Sequence, residues 1–202
     1  AGIYDATAKN DLETVGNAQI STTQSQWGGS SMYFDGTGDR VIFPETPLFN
    51  FGTEDFTIEA WIYVNDISAI RGIFGQNSGT AATNQFMMLV HTTGRLDFYV
   101  YYSNTYLLLQ SATSAVSTGA WHHVAGVRNG SNFSLYLNGA SVASTTAAIT
   151  VNNSVTPLGI GAVNGQVGTY PMNGYIQDVR FTKGIARYTT AFTPPTAAFP
   201  LT

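Results

Sequence analysis

Apolar residues recur at every second position along most of this chain, and that period limits what it can fold into. In "FTIEAWIYV" (56–64), Phe56, Ile58, Ala60, Ile62 and Val64 fall on one face, with Thr57, Glu59, Trp61 and Tyr63 on the other. "RLDFYVYY" sets Leu96, Phe98 and Val100 against Asp97, Tyr99 and Tyr101, and "NFSLYLNG" sets Phe133, Leu135 and Leu137 against Ser134, Tyr136 and Asn138. Alternation of this kind belongs to strands buried on one face, and helical spacing is scarce. "HTTG" (His91–Gly94) and "RNGSN" (Arg128–Asn132) are expected hairpin connections, and "NG" at Asn138–Gly139 a tight turn. The chain therefore reads as all-β, a large antiparallel two-sheet sandwich.

Less regular stretches complete it. Gly75 to Gln85 is a polar loop between strands, and Asn164 to Gly174 is another that carries Tyr170 and Pro171. The tail "FTPPTAAFP" (192–200) cannot be a central strand, because proline lacks the N–H that a ladder needs. Residues 192–202 are expected to run extended over the surface, pinned by Phe192 and Phe199. With 202 residues, 44% of them hydrophobic, residues 1–202 suffice for one core and one domain. Only 10% are charged and the net charge is -4 without a basic cluster, which argues against nucleic acid. No apolar run approaches the roughly 20 residues that span a bilayer, so membrane insertion is not expected. Cysteine is absent, which removes disulfides and thiolate metal sites.

Catalysis finds little support. Retaining and inverting glycosidases need two facing carboxylates, yet Glu59 and Asp97 each stand alone in their strands, and Glu59 is expected to be satisfied by hydrogen bonds. His122 and His123 must point to opposite faces, and "WHHVAGV" puts Trp121, His123, Ala125 and Val127 together, a face taken as the core. Binding is better served. Sugars lay their C–H faces on aromatic rings while amides and carboxylates bond the hydroxyls. Tyr99 and Tyr101 share a face with Asp97, Tyr136 shares one with Asn138, and Tyr170 sits in a loop. The alternative is that such tyrosines fill a wide sandwich with their hydroxyls in water.

The segments "GGSSMYFDGTGDRVIFP", "FTIEAWIYV", "GAWHHVAGVRNGSNFSLYLNG" and "NGYIQDVRFTKGIARY" occur in the order found in laminin-G-like domains of the concanavalin A-like lectin/glucanase superfamily, which the chain resembles from about Ala6 to Pro200. The ending "RFTKGIARYTTAFTPPTAAFP" is most similar to versions in bacteriophage virion proteins, such as tail fibres and capsid-decorating proteins. The resemblance implies a concanavalin A-like jelly roll. It also implies a test for hydrolysis, because laminarinase-type relatives carry Glu-x-Asp-x-x-Glu or Glu-x-Asp-x-Glu on one strand, and that run is missing here. Relatives often hold a structural calcium between a glycine-loop carbonyl and an aspartate of the last strands. The matching positions are Asp178, then Asp39 or Asp35 in "DGTGD", with Gly36 or Gly38 giving carbonyls. The alternative is that Asp35 caps a turn and Asp178 pairs with Arg40 or Arg180.

One departure concerns the start. Relatives open with an apolar strand of the "LLLHFDG" kind before "YDATAKN", whereas here only Ala1, Gly2 and Ile3 precede it. Either the domain lacks its first strand, which lies upstream in a longer parent chain, or a sheet edge is open and invites a partner strand. The reading reached is a non-enzymatic virion surface or tail module that binds host or environmental glycans, works beside other virion subunits and is a homo-oligomer in its assembly. The alternatives are a purely structural capsid or tail subunit, and a carbohydrate-binding module from a secreted bacterial glycosidase.

Overall fold

A computed structural model describes residue 3, residues 12–164 and residues 168–200. The expectation about a first strand falls on the start of the chain, most of which lies outside the described residues, as does the end of the tail. Two antiparallel seven-stranded sheets form a sandwich. Sheet I runs β1 (Glu13–Val15), β4 (Arg40–Phe43), β13 (Leu158–Ile160), β6 (Arg71–Gly75), β7 (Phe86–Val90), β8 (Leu96–Tyr102) and β9 (Thr105–Gln110). Sheet II runs β12 (Ala140–Thr146), β11 (Asn132–Leu137), β10 (Trp121–Asn129), β5 (Phe56–Val64), β14 (Asn173–Lys183), β3 (Ser31–Asp35) and β2 (Gln19–Ser21). Among the described residues no helix is long and apolar enough to cross a membrane.

The alternation in sequence places the core as expected. Phe56, Ile58, Ala60, Ile62 and Val64 of β5 meet Leu96, Phe98 and Val100 of β8 and Phe133, Leu135 and Leu137 of β11 in one buried cluster between the sheets. Phe74 packs edge-on against Phe86 and Phe181 there, the geometry that ring quadrupoles favour. The turns also fall where the sequence puts them. "HTTG" joins β7 to β8, and the Asn138–Gly139 turn joins β11 to β12 with φ of 50° and 81°. "DGTGD" leads β3 of one sheet into β4 of the other, and Asp39 holds that crossing together. Its buried carboxylate accepts from the N–H groups of Asn17 (2.8 Å) and Asp35 (2.9 Å).

The outer face of sheet II corrects one expectation. Val124 points to the core between the sheets, so Trp121, His123, Ala125 and Val127 point outward. They are nevertheless largely buried, because residues 184–200 fold back over that face as a strap. Ala125, Val127 and Tyr136 form a second small core with Ala186, Tyr188 and Phe192. Strands covered on both sides are apolar on both sides, so alternation could not say which face was inward. The strap is pinned by Phe192, whose ring stacks on Tyr188 at 3.6 Å, and by Phe199, which lies under the Arg180 guanidinium at 3.9 Å. Beyond its edge a row of rings crosses four strands in register, Tyr33, Tyr175, Tyr63 and Trp121, with centroids 5.1, 5.7 and 5.6 Å apart.

Under the strap lies Glu59, fully buried. Its Oε2 accepts from Tyr188 Oη at 2.7 Å and lies 3.1 Å from His123 Nε2, and its Oε1 accepts from Arg180 Nε at 2.8 Å. Burial pushes this carboxyl upward. The hydrogen bonds from His123 and Tyr188, with the Arg180 charge, outweigh that and hold it below the usual glutamate value. Tyr188 is pushed up, first by burial and then by the Glu59 charge, so its phenol stays a donor. The lone carboxylate of β5 is thus a structural clamp.

A carboxyl held low stabilises the fold above the ordinary glutamate pKa, and that gain is lost as pH falls through the lowered value. Glu59→Gln should therefore cost about 3 kcal/mol in urea unfolding at neutral pH. The gap to the parent should close on acidification below about pH 4. A gap that stays constant into strong acid would show that the charge of Glu59 is not what holds the strap.

Candidate functional site

The outer face of sheet I carries a cluster of three tyrosine rings. On β8, Asp97, Tyr99 and Tyr101 point away from the core because Leu96, Phe98 and Val100 fill it. On the neighbouring strand Tyr106 lies directly opposite Tyr101, Leu108 opposite Tyr99 and Gln110 opposite Asp97. The rings of Tyr99 and Tyr101 lie 6.3 Å apart and nearly parallel (18°). Tyr106 closes the triangle at 5.2 Å from Tyr99 and 5.7 Å from Tyr101, and is 49% exposed. Tyr101 is the buried base of the group and packs on Met87, Leu89 and Val163.

Two loops border the face. The segment after β13 lies directly on β6, where Gly72 N–H donates to Tyr170 O at 2.7 Å and Asn77 N–H to Val163 O at 3.1 Å. This approach needs glycine. A Cβ at Gly72 would sit 2.7 Å from Tyr170 O, and one at Gly75 2.8 Å from Val163 O. The loop presents Tyr170 at φ 55°, a left-handed conformation that a bulky residue rarely adopts, with its ring 39% exposed. On the other side the 76–85 loop is tied by its own polar groups: Ser78 N–H donates to Asn84 Oδ1 (2.6 Å), and the Thr80 and Thr83 hydroxyls bond at 2.7 Å. Burial, followed by neighbouring tyrosines, pushes the Tyr101 phenol up to about 12 despite a hydrogen bond with Asn84. Burial and the Asp97 charge also raise Tyr99. The face therefore offers apolar rings with neutral hydroxyls, bordered by amides and hydroxyls.

Of the residues singled out from sequence, Tyr99, Tyr101, Asp97 and Tyr170 come together here. Asp97 has a different part from the one expected. It is fully buried, takes a two-pronged grip from Arg95 (2.7 and 2.9 Å) and accepts from Gln110 (3.3 Å), so it fixes Arg95 at the rim rather than meeting a ligand. Tyr136 and Asn138 do not belong to the site. Tyr136 is buried beneath the strap and donates to Tyr188 O (3.3 Å). Asn138 is a turn residue whose amide accepts from His123 N–H (2.9 Å) and reaches His122 Nδ1 (3.1 Å). Alternation told which residues share a face, and only the strap decided which face is open. Tyr106 was missed because "NTYLLLQ" is apolar on both faces; its position opposite a tyrosine strand was the available signal.

The three aspartates do not form one ligand set. Asp35 Oδ1 accepts from Thr37 N–H (2.7 Å), capping the turn, and Asp39 is spent on two backbone N–H groups. Asp178 accepts from Trp27 Nε1 (2.6 Å) and Phe199 N–H (3.3 Å) rather than from an arginine, while Arg180 goes to Glu59. Asp35 pairs with Asn173, which puts Asp178 roughly 16 Å further along its strand. Calcium takes six to eight oxygens, and each of these carboxylates already accepts at least one N–H. Among the described residues no group of three His, Cys, Asp or Glu is placed to hold a metal.

Comparison with known proteins agrees with this architecture. The family model Laminin_G_3, of the concanavalin A-like lectin/glucanases superfamily, matches residues 35–186, well over half of the chain. No curated protein matches the sequence. Among solved structures, the binding domain of Paraclostridial Mosquitocidal Protein 1 superposes with a TM-score of 0.69 at 16% identity, over 92% of this chain and 48% of its own. This chain thus spans about half of that structure. Domain 4 of AbnA, a GH43 extracellular arabinanase from Geobacillus stearothermophilus, in complex with arabinotriose, gives 0.65 at 15% identity over 90% of this chain and 87% of its own. The CBM40 of the Ruminococcus gnavus IT-sialidase, bound to alpha2,3 sialyllactose, gives 0.58 at 16% identity over 68% and 80%. Identities this low show a shared fold and leave the ligand to the site itself.

Gly72→Ala tests how the face is assembled. The added methyl should push the Tyr170 loop off β6, cost about 2 kcal/mol and shift the backbone amides of Thr169, Tyr170 and Met172 in NMR spectra. A variant of unchanged stability and unchanged amide positions would mean that the loop does not depend on this close approach.

Proposed function

The chain belongs to the concanavalin A-like lectin/glucanases superfamily, and we propose that it acts as a non-enzymatic glycan-binding module. The observation that carries this reading is the triangle of Tyr99, Tyr101 and Tyr106 on the open face of sheet I, with Tyr170 beside it. Stacked on these rings, the C–H face of a sugar gains contact with flat apolar surface, while Arg95, Gln110 and the exposed Thr80 of the 76–85 loop supply polar groups for its hydroxyls. A hydrolytic role finds no support in the same face. Its one carboxylate, Asp97, is buried against Arg95, and Glu59 is locked beneath the strap on the other sheet. Sialyllactose and arabinotriose, the sugars bound to two of the similar structures, make sensible first probes.

For the setting, the ending "RFTKGIARYTTAFTPPTAAFP" supports a virion surface, where repeated copies in a homo-oligomer beside other virion subunits would attach to host or environmental glycans. Weak sites suit such an array, because linked copies raise avidity by roughly 10²–10⁴ without new contacts. A second reading, a carbohydrate-binding module of a secreted glycosidase, is favoured by the likeness to an arabinanase domain and a sialidase module over most of their lengths.

A tetramerised form of the protein on a glycan array should retain a defined set of sugars. Tyr106→Ala should weaken that binding about tenfold, the loss of one stacking contact, and should leave the melting temperature unchanged because the ring is half exposed. Full binding by Tyr106→Ala together with Tyr99→Ala would overturn the assignment of this face.

A further inference from the structure

The strap leaves part of sheet II uncovered, and there a groove of about 400 Å³ opens between its edge and strands β10, β11 and β12. We infer that this groove is a second binding site, for a short neutral saccharide, independent of the tyrosine face. The register builds it. Val127, Ser134 and Ser144 lie side by side across the three strands, and Asn129, Asn132 and Thr146 form the next row. All six point outward, since Phe133 and Leu135 occupy the core. The serines are small, whereas Tyr136 in the same strand lies under the strap; the drop from one to the other makes the hollow. Tyr188 and Thr189 of the strap form its wall.

The lining selects the class of ligand. Thr146 Oγ1 donates to Asn132 Oδ1 at 2.8 Å, which orients that amide and leaves its NH₂ without a hydrogen bond among the described residues. The side chains of Asn129, Ser134, Ser144 and Thr189 form no hydrogen bond among the described residues, so hydroxyls and amides stand ready as donors and acceptors within a few ångströms of one another. Charge is absent from the lining. The nearby Arg128 is turned away and spent on the carbonyls of Gly130, Gly52 and Ile149, each at 2.8 Å. The Tyr188 hydroxyl is given to Glu59. A phosphate, sulfate or carboxylate would find no cation in this lining, while a sugar finds many hydroxyl and amide partners, with the half-buried Tyr188 at the wall. The volume also falls in the range of small-molecule sites, about 300–1,000 Å³.

The test titrates ¹⁵N-labelled protein with maltotriose, cellotriose and xylotriose, and with trigalacturonate as an anionic counterpart. At least one neutral sugar should shift the amides of 127–134 and 144–146 saturably, and trigalacturonate should not. Ser144→Leu, which fills the groove at an exposed edge-strand position, should weaken this response about tenfold or more, as should Asn132→Ala. Tyr106→Ala should leave it intact, which separates this site from the one on sheet I. The proposal is overturned if no groove amide responds to any of the three neutral sugars, if trigalacturonate acts equally well, or if Tyr106→Ala abolishes the response.

Discussion

The buried carboxylate of Glu59 ties the strap to sheet II. A charge removed from water is tolerated only when fully partnered, and its partners come from three separate places: His123 from β10, Arg180 from β14 and Tyr188 from the strap. Satisfying that one group therefore fixes three elements at once. The strap's remaining contacts build on this anchor. Thr57 Oγ1 donates to Ile185 O and accepts from Arg187 N–H, Phe192 N–H donates to Gly139 O, and Phe199 settles on Arg180.

With the strap in place the two outer faces take different parts. On sheet II outward residues of β10 and β11 become a second core, while the hydroxyl-lined hollow beside Tyr188 and the row of rings from Tyr33 to Trp121 lie outside it. Sheet I has no strap. Its outward rings are held by one another, by Met87 and Leu89 of the neighbouring strand, and by a loop that rests on two glycines of β6. Burial raises the phenols of Tyr99 and Tyr101, which keeps those two neutral further into alkaline pH. The opposition of a capped face and an open one follows from where seventeen or so C-terminal residues lie, since the strands themselves are comparably aromatic on both sides.

Much of this was legible in the chain. The inward sets of β5, β8 and β11 could be read from alternation because an inter-sheet core accepts only apolar side chains, and the turns from their Gly and Asn positions. Tyr99 and Tyr101 could be nominated for the site because they share a strand face with Asp97, and Tyr170 because it sits in a loop. Asp97, Tyr136 and Asn138 could not be judged in the same way. Whether a carboxylate, a ring or an amide meets solvent depends on partners that alternation does not reveal, here Arg95 with Gln110 for Asp97, the strap for Tyr136, and β10 for Asn138. The aspartates of "DGTGD" and Asp178 could not be placed from sequence for the same reason: Thr37 N–H goes to Asp35, Asn17 and Asp35 N–H to Asp39, and Trp27 and Phe199 to Asp178.

By itself the sequence determined the strand character, the inward faces of the central strands and the membership of the superfamily, because period-two burial and turn chemistry are local properties. Tertiary structure alone decided which outer face is open, which of two equally apolar faces of β10 looks inward, and which tyrosines stand in solvent. Those outcomes rest on contacts between residues more than a hundred positions apart, such as Glu59 with Tyr188, and no local pattern encodes such a contact.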